Sequence, residues 1–267
     1  MWPRGKARSW MVFGVGRKRV SLALFVTLML GACATAPSAD DPEAVAEFQA
    51  VNDPIEPFNR AVYEINNGIN FLVMGPLGYG YRWAVPEPAR HGIHNALDNA
   101  NSPIEFANHL LQGNPCRAGD TLLRLVINST FGLGGLVDLA KQMGIPAHTT
   151  DFGLTLGGWG IPEGPYLFVP LLGSTNPRDL VGSGVDLVAD PWSWIVAGRM
   201  IDNIDWVRLG MHATDSSERW LDEVKRINRT SLDPYITYRS LYRGHRRYAV
   251  ERVLDQDAGV VCEPPRK

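Results

Sequence analysis

Apolar positions recur at helical spacing through most of the chain. Phe58, Val62, Ile65, Ile69 and Leu72 share one face, and Gly75-Pro76 is expected to end that helix. A second helix is expected after Pro86 and Pro88, with Ile93 and Leu97 on one side. A third should start at Asn101-Ser102-Pro103 and carry Ile104, Ala107, Leu110 and Leu111. Gly113-Asn114-Pro115 turns the chain. A fourth helix from about Ala118 then leads through Leu122, Leu123, Val126 and Ile127 into the glycine-rich stretch Phe131–Leu136. Between Ile145 and Pro177 closely spaced glycines and prolines forbid a long helix, so loops, turns and one brief strand near Tyr166–Val169 are predicted. Helical text resumes near Pro177, with breaks expected at Gly182 and Pro191, and runs through Trp192 to Gly210.

Two amphipathic helices close the pattern. In the first, Asp215 and Glu218 read as a capping signal before Leu221, Val224 and Ile227. In the second, Tyr235, Tyr238, Leu241, Tyr242, His245 and Tyr248 form an aromatic stripe beside Arg239, Arg243, Arg246 and Arg247. Such a stripe predicts core packing, with a lipid-headgroup or partner contact as the other use. The fold class is mainly α.

The N-terminus follows another logic. Arg4, Lys6, Arg8, Arg17, Lys18 and Arg19 precede the apolar run Val20–Leu30, which is short of the roughly 20 residues that span a membrane and suits a signal sequence. Leu30-Gly31-Ala32-Cys33 resembles a bacterial lipobox, so residues 1–32 read as a signal peptide and Cys33 as the lipidation site. Residues 33–52 read as the lipidated start and linker, 53–252 as the structured domain and 253–267 as a tail. Ala34, rather than aspartate, favours the outer membrane by analogy with enterobacterial sorting.

Charge sharpens this picture. The net charge is −2, and removing the basic leader makes the rest more acidic, which argues against a nucleic-acid partner. Thr121–Met200 holds ten charged residues, whereas the much shorter Glu218–Arg252 holds fourteen. The middle reads as an apolar belt and the end as a solvated surface. Trp159, Tyr166, Trp192, Trp194, Trp206 and Trp220 supply rings of the kind enriched at membrane interfaces. The uncharged part of Leu125–Val137 is too short to span but long enough to lie in an interface. Cys116 and Cys262 remain after lipidation and could pair in an oxidising compartment.

Catalytic and metal motifs are missing. There is no G-x-S-x-G, Walker loop, H-E-x-x-H or C-x-x-C, and Gly132, Gly134 and Gly135 do not make a dinucleotide fingerprint. His91 and His94 lack a third ligand and read as solvated or capping residues. Asp98 and Glu105 are too far apart in sequence for paired acid/base work to be more than a guess. The chain is therefore expected to be no enzyme and to need no metal or cofactor.

An ordered set of motifs carries a family resemblance. Asn52–Arg60, Val85–Arg90 and Leu110–Gly113 are followed by Asn128–Gly135, Asp151-Phe152-Gly153, Thr155-Leu156-Gly157 and Gly164-Pro165-Tyr166. Pro170–Gly173, Arg178-Asp179 and Asp233-Pro234-Tyr235 with Arg239 complete the set. From about residue 50 to 250 this resembles the MlaA/VacJ lipoproteins; Gly158 departs from the histidine often found there. The resemblance implies a ring-shaped bundle of amphipathic helices lying in the inner leaflet of a Gram-negative outer membrane, with glycine/proline-rich loops around a central amphipathic channel. It implies glycerophospholipids as cargo, a trimeric outer-membrane porin and a soluble MlaC-like periplasmic carrier as partners, and maintenance of lipid asymmetry as the role. Gly132, Gly134, Gly135, Asp151, Gly153, Gly157, Gly164 and Tyr166 are expected to border the channel, with tight turning as the alternative for the glycines. Arg178-Asp179 is expected to be a local structural pair. A porin-binding scaffold that moves no lipid and a lipid-acting envelope enzyme stay open as other readings.

Overall fold

The computed structural model describes residues 53–191 and 202–255. Cys33, the leader, the whole linker, Trp192, Trp194 and Cys262 lie outside the described residues. Contacts divide the chain into a unit ending at Glu56 and a unit Pro57–Lys267; the fold described here is that of the second.

Helix α1 (Glu56–Ile69) continues through a π turn, Asn70–Met74, into α2 (Gly75–Ala84). The break expected at Gly75-Pro76 does not occur. Pro76 has no N–H and would crowd the preceding turn of a regular helix. The wider π turn relieves this, with the Gly75 N–H reaching the carbonyl of Asn70. Glycine is needed at that point, because a Cβ on Gly75 would lie 2.8 Å from Asn70 O. Nor does the chain break at Asn101-Ser102-Pro103: α3 runs from Glu87 to Leu111 with Pro103 inside it. The Ser102 hydroxyl donates to Asp98 O just before the proline, and packing of α3 along α4 (Pro115–Thr130) outweighs the local preference. Asn114 caps α4 by accepting from Arg117 N at 3.0 Å.

The glycine-rich middle contains more structure than its composition suggests. Helix α5 (Leu139–Gln142) is capped by Asp138 and α6 (Phe152–Gly158) by Asp151. Strands β1 (Leu167–Val169) and β2 (Gly173–Thr175) form an antiparallel hairpin with Phe168 opposite Ser174. Helix α7 (Pro177–Ala189) passes unbroken through Gly182, where a Cβ would lie 2.3 Å from Gly153 N; glycine lets α6 and α7 touch by their backbones. Asp215 is no cap but stands in mid-helix in α8 (Asp202–Thr230), ion-paired to Arg219 one turn on and to His94 of α3. Helix α9 (Pro234–Leu254) starts on an Asp233 cap and packs against α6.

The apolar core is small and aromatic: Val62, Tyr63, Tyr166, Phe168 and Tyr235, with Tyr238 and Tyr242 against it. Tyr63 meets Phe168 and Tyr235 edge-on at 5.5 and 5.7 Å between centroids. Of the C-terminal stripe, Tyr235, Tyr238 and Tyr242 are therefore core, while Leu241 and Tyr248 are exposed. Two asparagines of α1 hold the hairpin in place. Asn59 donates to Tyr166 O and accepts from Phe168 N; seven residues on, Asn66 donates to Val169 O and accepts from Leu171 N.

Burial is inverted relative to a water-soluble protein. Among the described residues, 17 buried side chains are polar or charged and 12 are apolar, while 35 large apolar side chains are exposed. A surface with this much large apolar area suits contact with lipid or partner better than contact with water. The exposed apolar residues are not confined to the belt expected after Thr121. Phe71, Leu72 and Trp83 are among the most exposed, with Trp83 at 90%, and Val73 beside them is exposed too. No helix among the described residues is long and apolar enough to cross a membrane.

Asn59→Ala should test the asparagine clamp. It removes the side-chain bonds to Tyr166 O and Phe168 N at a fully buried position, a loss of about 2–4 kcal/mol. A clear fall in Tm of the detergent-solubilised protein is expected; an unchanged Tm would show that the clamp is not a stabilising element.

Candidate functional site

Helices α3 and α4 build the site by turning their polar faces toward each other. Thr121 (3% exposed) and Asn128 of α4 point inward, and Leu122, Leu123 and Val126 of the same helix are exposed. Ser102 and Asn108 of α3 are buried, while Leu110 and Leu111 point out. Between the helices lies a cavity of about 70 Å³, with Asn95, Asp98, Asn99 and Glu105 on the α3 side and Thr121, Arg124 and Asn128 on the α4 side. His148 and Thr149, ahead of α6, close another wall.

Asp138 fixes the end of the cavity. It accepts from Arg124 Nη2 at 2.7 Å, Asn128 Nδ2 at 3.0 Å and Lys141 N at 3.0 Å. Burial alone would raise its pKa, but these bonds hold it below the ordinary aspartate value. Arg124 also donates to Ile145 O, and Asn128 accepts from Ala140 N.

The loop between Asn128 and Asp138 is equally constrained. A Cβ on Gly132 would lie 2.2 Å from Val137 O, and Gly135, at φ +96°, has no room beside Asn99. Gly134, at φ +72°, has open space around it, so only its backbone conformation calls for glycine. This turn pushes Phe131 and Leu133 outward, at 75% and 72% exposure. Leu136 and Val137 line a second, wider cavity of about 330 Å³ together with His91 and Lys141. The two cavities share Asn95 and Asp138 as walls, so the polar interior adjoins a mouth edged by apolar loop residues.

The electrostatics of the first cavity are uneven. Glu105 has no hydrogen-bond or ion-pair partner among the described residues, and burial pushes it up to about 8, with Asp98 adding to the rise and Arg124 opposing it. Asp98 is raised too, chiefly by burial, although His94 lies 3.2 Å away. His148 bonds Asp120 at 3.0 Å and is nonetheless lowered, because desolvation dominates. The fully buried His109 is lowered to about 4 by burial; its Nε2 meets His148 O at 3.1 Å.

Other expected site residues lie elsewhere. Asp151, Gly153 and Gly157 surround an ionic hub in which Arg246 of α9 bonds both Asp151 and Asp179. A Cβ on Gly153 would lie 2.8 Å from Asp179 Oδ1, and one on Gly157 would lie 2.7 Å from Val250 Cγ2. Arg178 pairs with Asp179 inside this hub at 3.1 Å. Gly164, at φ +73°, abuts Pro177, and Tyr166 is buried in the aromatic core with its hydroxyl 2.8 Å from Ser174 Oγ. Cys116, in the first turn of α4, is disulfide-bonded. Of the expected residues, only those of the Gly132–Gly135 loop stand beside the α3/α4 cavity. Its polar lining was not singled out from sequence as a site, though the spacing of Thr121, Arg124 and Asn128 on an otherwise leucine-rich helix carries the signal.

The family model described as MlaA lipoprotein matches residues 51–249. The chain belongs to the MlaA lipoprotein family. Curated relatives include the intermembrane phospholipid transport system lipoprotein MlaA of Haemophilus influenzae, 32% identical over 239 residues and covering 87% of this chain and 90% of that one. The protein of the same description from Escherichia coli K12 is 32% identical over 226 residues, covering 83% and 84%. A solved structure from work on the "structural basis for maintenance of bacterial outer membrane lipid asymmetry" is 30% identical, with a TM-score of 0.64 over 74% of this chain and 98% of its own. The mainly helical MlaA-type fold expected from the motifs is thus present. At Gly158, where this MlaA-family chain departs from the common histidine, a Cβ would lie 2.8 Å from Val253 Cγ1, so a larger side chain has no room.

Glu105 makes the site sensitive to pH. Its folded pKa, near 8, is above that of an exposed glutamate. Its contribution to stability is therefore complete below the unfolded value and is lost as pH rises through 8. Tm should fall more steeply from about pH 6 to 9 in the wild type than in Glu105→Gln. Parallel profiles would contradict a half-buried, unpaired Glu105.

Proposed function

We propose that this chain is an outer-membrane lipoprotein that maintains lipid asymmetry by removing stray glycerophospholipids from the outer leaflet. Cys33 carries the acyl anchor, the helical domain lies in the inner leaflet, and a soluble periplasmic carrier receives the lipid. A trimeric porin is the membrane partner, and Cys262 is the disulfide partner of Cys116. The relatives described as phospholipid-transport lipoproteins support the general role.

The observation that carries this reading is the inversion of burial around α3 and α4. A phospholipid needs a polar passage for its headgroup and an apolar boundary for its tails, because an unpaired charge in a dry surrounding is costly. Here a polar cavity lies directly behind helices whose outer faces are leucine and valine, and it adjoins a wider mouth edged by Leu136 and Val137. The headgroup path runs through these two cavities. Gly132 and Gly135 shape its rim, and Asp151, Gly153, Gly157, Gly164 and Tyr166 hold the framework around it.

The test uses a strain lacking the protein. Phospholipid exposed at the cell surface should rise and return to normal with the wild type, but not with Cys33→Ala or with Gly135→Val, which forces a branched side chain onto Asn99 at positive φ. A photo-crosslinking residue at position 95 should capture phospholipid, whereas one at the exposed position 226 should not. Unchanged surface phospholipid in the deletion would favour a porin-binding scaffold. Restored export without lipid captured at position 95 would move the path elsewhere.

A further inference from the structure

We propose that the α3/α4 cavity selects phospholipids whose headgroup ends in a primary ammonium, with Glu105 and Asn99 as the accepting groups; this rests on the transport reading above. Several hydrogen-bond donors of the lining are already used. Asn95 donates to Leu136 O, Asn99 to Ser129 Oγ and Thr121 to Arg117 O. Arg124 donates to Ile145 O and Asp138, Asn128 also donates to Asp138, and the His148 ring is tied to Asp120. Acceptors are left over. The Glu105 carboxyl has no partner among the described residues, and Asn99 Oδ1 is buried without one. Open acceptors in a cavity of acidic bias suit a ligand that brings donors. A primary ammonium brings three on a positive charge, whereas a quaternary ammonium or a glycerol headgroup lacks this combination.

Size and charge agree. About 70 Å³ exceeds the roughly 10–15 Å³ that one water needs by the same measure several-fold, which is room for an aminoethyl group but not for the acyl chains. The charged and titratable groups around Glu105 are Asp98 on its own helix, Arg124 on α4, Asp138 at the loop end and His148 before α6. Arg124 is neutralised by Asp138, and burial lowers the pKa of His148. The remaining bias is acidic. Because Glu105 holds its proton to about pH 8, an incoming ammonium must displace that proton, so selection should strengthen as pH rises.

The experiment measures retention of lipid by the full-length purified lipoprotein from vesicles of matched acyl chains bearing phosphatidylethanolamine, phosphatidylcholine or phosphatidylglycerol. Phosphatidylethanolamine should be retained about tenfold better than either of the others, the scale of one charge-assisted hydrogen bond. That preference should grow from about pH 6 to 9. Glu105→Gln should abolish it, whereas Glu223→Gln, the same substitution on α8 away from the cavity lining, should keep it. Equal retention of phosphatidylethanolamine and phosphatidylcholine would overturn the inference while leaving transport intact, as would a preference that survives Glu105→Gln. Retention of no phospholipid at all would instead overturn the transport reading.

Discussion

The guanidinium of Arg246 is the interaction on which the C-terminal half of the described fold depends. It grips Asp151 through both terminal nitrogens, at 2.6 and 2.9 Å, and Asp179 through Nη2 at 2.8 Å, with Nε at ion-pair distance, 2.7 Å, from the same carboxylate. One residue of α9 thereby fixes the cap of α6 and the first turn of α7. Burial favours the neutral form of arginine, yet the two carboxylates hold its pKa above the ordinary value, and Asp179 is in turn held low. Tyr242 and Asn176 add bonds to the same aspartate. Buried charges survive only when this fully paired, and loss of one partner of such a pair generally costs about 3–5 kcal/mol. The arrangement explains why the chain has glycine at 153 and 182: side chains there would occupy the space the ions and backbones need.

The same logic extends across the molecule. When the outside is apolar, the inside cannot be held together by apolar contrast alone, and polar side chains take over that task by bonding one another. The Asn59 and Asn66 clamps, the Asp138 knot and the Arg246 hub are three versions of it. Each is a set of mutually bonded donors and acceptors in which geometry, rather than area, supplies the specificity. The α3/α4 cavity differs because its set leaves acceptors open. Acceptors without donors are tolerated there, and that residual demand makes it a place for a ligand rather than a further structural knot.

Much of the fold was legible in the sequence. Most of the helices, the hairpin strand near Tyr166 and the aromatic stripe followed from periodicity and turn chemistry. Local punctuation misled where tertiary contact overrode it: Gly75-Pro76 sits in a π turn, Pro103 inside a helix braced by α4, and Gly182 at a backbone crossing. The apolar belt was inferred from a shortage of charge after Thr121. The same shortage runs from Ile65 to Tyr81, where only the helix end at Gly75-Pro76 was expected. The site was less legible. Asp98 and Glu105 stand two turns apart on α3, and only the structure brings Arg124, Asn128 and Asp138 opposite them. Glycine-rich motifs drew attention to Gly153 and Gly157, whose role in the structure is close packing.

The π turn at Asn70–Met74 sets the rotational phase of everything that follows it. A regular helix advances about 100° per residue, so the extra residue accommodated by the wide turn re-aims α2 relative to α1. The phase that results leaves Phe71, Leu72 and Val73 facing outward, and a turn later it brings Gly78 against Leu221 and Glu218 of α8. Arg82 then reaches Glu218 at 2.8 Å. Outward-facing apolar and protein-facing stripes are thus cut from one continuous rod by a single change of winding, and α1–α2 can serve two environments without a loop between them.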